Sequence, residues 1–175
     1  ANAFRNGAAR LAIAGENPSL LSGQNPDRVA RANRARSRAY QPALELIASF
    51  DINWTIVSYA STAWAKSVFP DETETVAVAK LWDAIFSASR VDRVDPVAAW
   101  AEHNAALHAR TKLLNAKRYH ALHFTGPGTD LVVGLADDHE WEGGAGTAKN
   151  GIVCNPNIPS EEVFTTPHKN RVSGH

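Results

Sequence analysis

Apolar and polar positions change rhythm along this chain, and the changes predict its elements. Arg10-Leu11-Ala12-Ile13-Ala14-Gly15 is a short apolar run closed by glycine, the pattern of a buried strand, and Ala3 to Ala9 before it fits the end of a helix. Asn25-Pro26-Asp27 offers an N-cap followed by proline at the first helical position. The helix that follows carries Arg28, Arg31, Arg34, Arg36 and Arg38 among alanines, and Pro42 is expected to kink or interrupt it before Ala43 to Ala48 resumes. Ile52 to Tyr59, rich in β-branched and aromatic residues, predicts a second strand. A short helix from Thr62 to Val68 stops at Phe69-Pro70. In the next helix, acidified at its start by Asp71 and Glu72, Val78, Leu81, Trp82, Ile85 and Phe86 share one face. Asp95-Pro96 opens another helix, in which Trp100, Leu107 and Leu114 form an apolar seam.

From Tyr119 the helical spacing gives way to short strands separated by glycine-rich turns: Tyr119 to Phe124, Leu131 to Leu135 and Gly151 to Cys154. The fold class expected is therefore α/β. Residues 1–118 should form an α/β layer, a parallel-type sheet flanked by helices, and residues 119–175 the start of a β-rich domain that is cut off. The boundary falls within Arg118 to Thr125.

The most constrained wording lies near the end, in Asn155-Pro156-Asn157-Ile158-Pro159-Ser160-Glu161-Glu162-Val163-Phe164-Thr165-Thr166-Pro167. Proline fixes its own φ and keeps the preceding residue out of the helical region, so Asn155 to Pro159 should be extended and rigid. Val163 to Thr166 reads as a short strand stopped by Pro167. Two readings of the acidic pair stand side by side. Ser160 caps a helix whose first turn holds Glu161 and Glu162, or a stiff loop presents both carboxylates to a hard or borderline cation.

Composition removes several function classes. Eighteen basic and eighteen acidic residues balance to a net charge of zero, which does not suit a protein bound to polyanions over its whole surface. The five arginines after Asn25 are spaced around their helix with no stacking aromatic among them, so a solvated helix is favoured and no nucleic-acid partner is assigned. A single cysteine, Cys154, excludes an internal disulfide and is read as buried and inert. No apolar run has membrane-spanning length and no signal peptide opens the chain, so no membrane partner is assigned and a cytoplasmic location is the default. Methionine is absent even from position 1, and the expectation is an internal piece of a longer protein.

The histidines offer no independent metal centre. On a strand, His120 and His123 point to opposite faces and fit a core or cross-strand role. His139-Glu140 lacks a second histidine four positions after the first, because residue 143 is glycine, and is assigned to a turn. His103 and His108 are expected at the surface. Gly126-Pro127-Gly128 lacks the lysine and the following helix of a phosphate loop. No catalytic residue is assigned, and the substrate-binding residues are unknown.

The segment from Asn157 to Pro167 closely resembles the sequence around the first metal ligand of the M29 metalloaminopeptidases. Gly126 to Leu131, His139-Glu140-Trp141 and Thr147 to Gly151 resemble, in the same order, the segments that precede that loop, and Asn6 to Arg10 and Pro42 to Leu46 add to the likeness. The resemblance implies a metal-dependent aminopeptidase acting on peptides, with two divalent ions of the Zn, Co or Mn type and a homodimer in the complete protein. It implies Glu162 as the metal ligand supplied here, with Glu161 as the runner-up or as its support. A second glutamate, two histidines, an aspartate and a catalytic tyrosine would lie beyond His175, so this chain alone should be inactive and hold no metal. The rival reading is a non-catalytic α/β interaction or regulatory module in which the acidic loop caps a helix.

Overall fold

A computed structural model describes all of residues 1–175. The chain forms two compact units, one made of Ala1–Pro96 with Ala145–Pro159 and the other of Val97–Gly144 with Ser160–His175.

The first unit holds helix α1 (Asn2–Arg5), strand β1 (Arg10–Ala14), helix α2 (Pro26–Ala48), strand β2 (Trp54–Ser58), and helices α3 (Thr62–Val68) and α4 (Glu74–Ala88). Its sheet has the order β1-β2-β7, where β7 is Asn157–Ile158, and both pairings are parallel. The α/β class and the shared sheet of the first two strands are as the sequence predicts. The expected burial of β1 is not: Leu11 and Ile13 are about two-thirds exposed and alternate with half-buried neighbours, so one face of the strand is open. The core sits between α3 and α4, where Ala60, Ala65, Ala77, Leu81 and Ile85 are buried and Trp64, Phe69, Val78 and Trp82 pack against them. Phe86 lies at the rim of this stripe with its ring 5.1 Å from that of Trp82.

Helix starts in this unit obey local chemistry. Asn25 Oδ1 accepts from the amides of Asp27 and Arg28, Ser61 Oγ from Trp64, and Thr73 Oγ1 from Val76. Asp71 and Glu72 precede α4 and Glu74 is the acid in its first turn, so the acidic start lies slightly later than expected. Of the kink or interruption expected at Pro42, the interruption is absent: helix α2 continues through it. Residues 31–42 are all exposed, so solvent is at hand for the carbonyl that proline leaves without a donor. A small antiparallel pair, β5 (Gly146–Thr147) with β6 (Val153–Cys154), completes the unit. Cys154 is half-buried and free.

The second unit contains helix α5 (Pro96–Lys117) and an antiparallel sheet of order β3-β4-β8, with β3 at Ala121–Gly126, β4 at Thr129–Leu135 and β8 at Pro167–Gly174. Pro127-Gly128 makes the β3–β4 turn. His123 Nε2 meets Asp130 Oδ1 at 2.6 Å across this hairpin, the cross-strand role expected of it. β4 is irregular between Val133 and Leu135, where Gly134 lies under Arg171; a Cβ there would collide with the Arg171 Cβ. The strand expected over Val163 to Thr166 is absent. Only Phe164 bridges, to Glu142, and the strand begins at Pro167 instead of ending there. Proline is tolerated at the first residue of an edge strand, where its missing amide leaves no ladder bond unmade.

Candidate metal-ligand loop

Helix α5 organises this site. Leu107 is its fully buried residue, and Trp100 and Leu114 are half-buried, as the seam predicts. The same face also carries polar side chains that bind loop backbone. Asn115 Nδ2 donates to the Trp141 carbonyl at 3.0 Å while Asn115 Oδ1 accepts from the Trp141 amide at 2.7 Å, a side chain acting as a strand partner. A Cβ at Gly144 would lie 3.0 Å from Asn104 Oδ1 and 3.4 Å from the Leu107 Cβ, so residues 141–144 run close along this face.

That segment in turn holds the acidic loop. Glu142 and Phe164 exchange two backbone hydrogen bonds, at 2.9 and 2.8 Å. Gly143 sits against the loop so closely that a Cβ would fall 2.8 Å from the Glu162 carbonyl oxygen and 3.0 Å from Val163 Cγ1. Only glycine fits without moving the loop. On the other side of the pair, the Ser160 carbonyl accepts a 2.6 Å hydrogen bond from His103 Nε2, and Ser160 is buried.

The carboxylates point outward from this frame. Glu161 and Glu162 are both exposed. Glu161 Oε2 is 3.5 Å from His103 Nε2, and the Glu161 amide donates to Glu162 Oε2 at 3.2 Å. No helix follows Ser160, so the helix-capping reading of the pair, and with it the basis of the interaction-module alternative, does not match the structure. His103, expected at the surface, is only 13% exposed at its side chain. It was missed because its partner lies 57 residues away. The available signal was a histidine one turn from Trp100 on the seam side of α5.

Beside the loop opens a cavity of about 590 Å³, with Asp137, Asp138, His139, Glu140 and Glu142 on one wall and Phe164, Thr165 and Thr166 on the other. Thr165 Oγ1 donates to the Glu140 carbonyl at 2.6 Å. His139 lies in the expected turn, its Nδ1 2.7 Å from the Ala136 carbonyl. Asp137 is paired with Arg171 by hydrogen bonds of 2.6 and 3.1 Å, which hold its carboxyl below the usual range and raise the Arg171 guanidinium above its own.

The donor set fits a metal in part. Exposed carboxylates on a backbone-locked loop are suitable hard ligands. The chain brings no three histidine, cysteine, aspartate or glutamate side chains together to close a site.

Comparison with known proteins decides the relationship. The model of the thermophilic metalloprotease family M29 matches residues 1–175. The chain belongs to the M29 family. Among its M29 relatives, aminopeptidase T of Thermus thermophilus is 59% identical over 174 residues, covering 99% of this chain and 43% of the relative. Aminopeptidase 2 of Geobacillus stearothermophilus is 44% identical over 168 residues, covering 96% of this chain and 41% of the relative. The structure of wild-type AmpT from Thermus thermophilus superposes with a TM-score of 0.89 at 57% identity, over 99% of this chain and 42% of that one. The chain thus spans about two-fifths of the length of the M29 proteins it matches. None of its helices is long and apolar enough to cross a membrane.

Proposed function

We propose that this chain is part of a metal-dependent aminopeptidase, cytoplasmic and homodimeric in its complete form, that removes residues from the amino termini of peptides. Glu162 supplies one metal ligand, and the β-rich segment from residue 119 onward, apart from residues 145–159, which fold with the first unit, opens the domain that carries the metals. The observation behind this reading is the Glu161-Glu162 pair, fixed through its backbone on both sides and exposed at its carboxylates, in a chain of M29 membership.

Two divalent ions of the Zn, Co or Mn type, held in part by Glu162, would supply Lewis-acid chemistry to peptide hydrolysis. The residues here contribute geometry. Glu161 is drawn toward His103 and supports the loop. Glu162 accepts one bond from the Glu161 amide, and an ionised carboxylate with about four acceptor sites keeps capacity for a cation. One or two carboxylates fall short of the four ligands a fixed ion of this type takes. The 175-residue chain alone is therefore inert and essentially metal-free at Glu162.

The test is hydrolysis of an aminoacyl amide with added Zn, Co or Mn, by the 175-residue chain and by the full-length protein. Metal-dependent turnover should come from the full-length protein only and stop on chelation. Turnover by the short chain would overturn the incomplete-site reading.

A further inference from the structure

We propose that His103 is a positioning residue for the metal-ligand loop, holding the Ser160 carbonyl so that Glu162 projects at a fixed place; the inference rests on the reading of Glu162 as a ligand. A carbonyl oxygen only accepts, so the 2.6 Å contact requires the proton on His103 Nε2. The tautomer is thereby set.

The ring is itself held. Trp100, one turn earlier on α5, meets it edge to face with centroids 5.5 Å apart at 80°, and the side chain is largely buried. Ser160 is buried yet outside every strand, so no ladder anchors its carbonyl and the histidine takes that role. On the far side, Phe164 is tied to Glu142, and Val163 rests on Gly143. Only Glu161 to Val163 lies between the two anchors. Losing the His103 anchor frees the backbone just before the acidic pair, whereas metal ligation tolerates only about 0.2 Å of error in distance. Partners of this kind, which touch a ligand's support and not the ion, typically change metal affinity by about 10–100-fold when removed.

The experiment compares His103→Leu, His103→Gln and Glu162→Gln in the full-length protein. Each is stripped of metal and titrated with Co(II), reading affinity and the visible absorption band, with circular dichroism and thermal melting as the folding control. Glutamine places an N–H near the position of Nε2, so His103→Gln should stay within about threefold of wild type while His103→Leu loses about 10–100-fold in affinity and shifts the cobalt band. Should His103→Leu fail to fold, His103→Asn, whose donor is too short to reach the carbonyl, takes its place with the same expectation. Unchanged affinity and spectrum in the donor-lacking variant, with Glu162→Gln losing the metal, would overturn the role of His103 alone. Unchanged cobalt binding in Glu162→Gln would overturn the ligand reading on which it rests.

Discussion

The side chains that bond to backbone and shape the local path differ between the two units. In the first, Asn25, Ser61 and Thr73 bond to amides two or three residues ahead and start helices. In the second, His103 and Asn115 on α5 bond to backbone 57 and 26 residues away and hold loops that no ladder supports. The cores differ in parallel. The first unit is cemented by an apolar cluster between two helices, whereas α5 has one fully buried leucine, with the half-buried Trp100 and Leu114 and the backbone-binding His103 and Asn115 beside it. Short-range caps start helices of the first unit, which is also tied by the distant pairs Asn150–Asn53 and Lys149–Asp51, whereas in the second unit side chains of α5 reach far along the chain to hold loop backbone.

The sharpest way to break this contrast is in the buried leucines. Leu81→Ala and Leu107→Ala should each cost about 2–5 kcal/mol in urea unfolding, from lost burial and the cavity left behind. Leu107→Ala should also weaken Co(II) binding by the full-length protein and Leu81→Ala should not. Equal effects on the metal would erase the distinction between the units.

Next comes Gly143→Val, whose added atoms meet the Glu162 carbonyl and Val163. Overpacking of this kind costs about 1–3 kcal/mol, and it should lower metal affinity more than Gly134→Ala, which strains the sheet at Arg171. A smaller effect is expected from Asn25→Ala, about 1 kcal/mol from the lost cap of α2, with unchanged metal binding.

How much of this was legible follows from the same difference in range. The segments from β1 to α4 and the Asn25 cap are written in residues that are neighbours in sequence, and they appear close to where the pattern places them, whereas the Ser61 and Thr73 caps were not foreseen. The open face of β1 was not legible, because an apolar run does not reveal whether anything packs on each face of its strand. Nor was the loop after Ser160: Val-Phe-Thr-Thr has strand composition, but Gly143 and the Glu142 bridge hold it as a single contact. His103 reads as a surface histidine from sequence because Ser160 and Glu161, which meet its ring, lie far along the chain.

The smallest expected effect is electrostatic and sits in both units. Arg171 lowers the Asp137 carboxyl, and hydrogen bonds from Lys149 and Ser49 lower that of Asp51. A carboxylate whose folded pKa lies below its unfolded value of about 3.9 binds fewer protons when folded. Its contribution is complete above that unfolded value and is lost as pH falls through the lowered folded one. Asp137→Asn and Asp51→Asn should therefore each remove a small contribution at neutral pH and change nothing below the folded pKa, which flattens the acid limb slightly; the effect is small because the Asp137 pair is exposed and Asp51 only half-buried.

The most direct measurement is the metal content and peptide hydrolysis of the full-length protein carrying Glu162→Gln, set against Glu161→Gln. With Glu162 as ligand and Glu161 as support, Glu162→Gln should lose bound cobalt and nearly all hydrolysis, while Glu161→Gln should still load metal at an affinity lower by about 10–100-fold. A Glu162→Gln protein that keeps its full metal complement and activity would contradict the account.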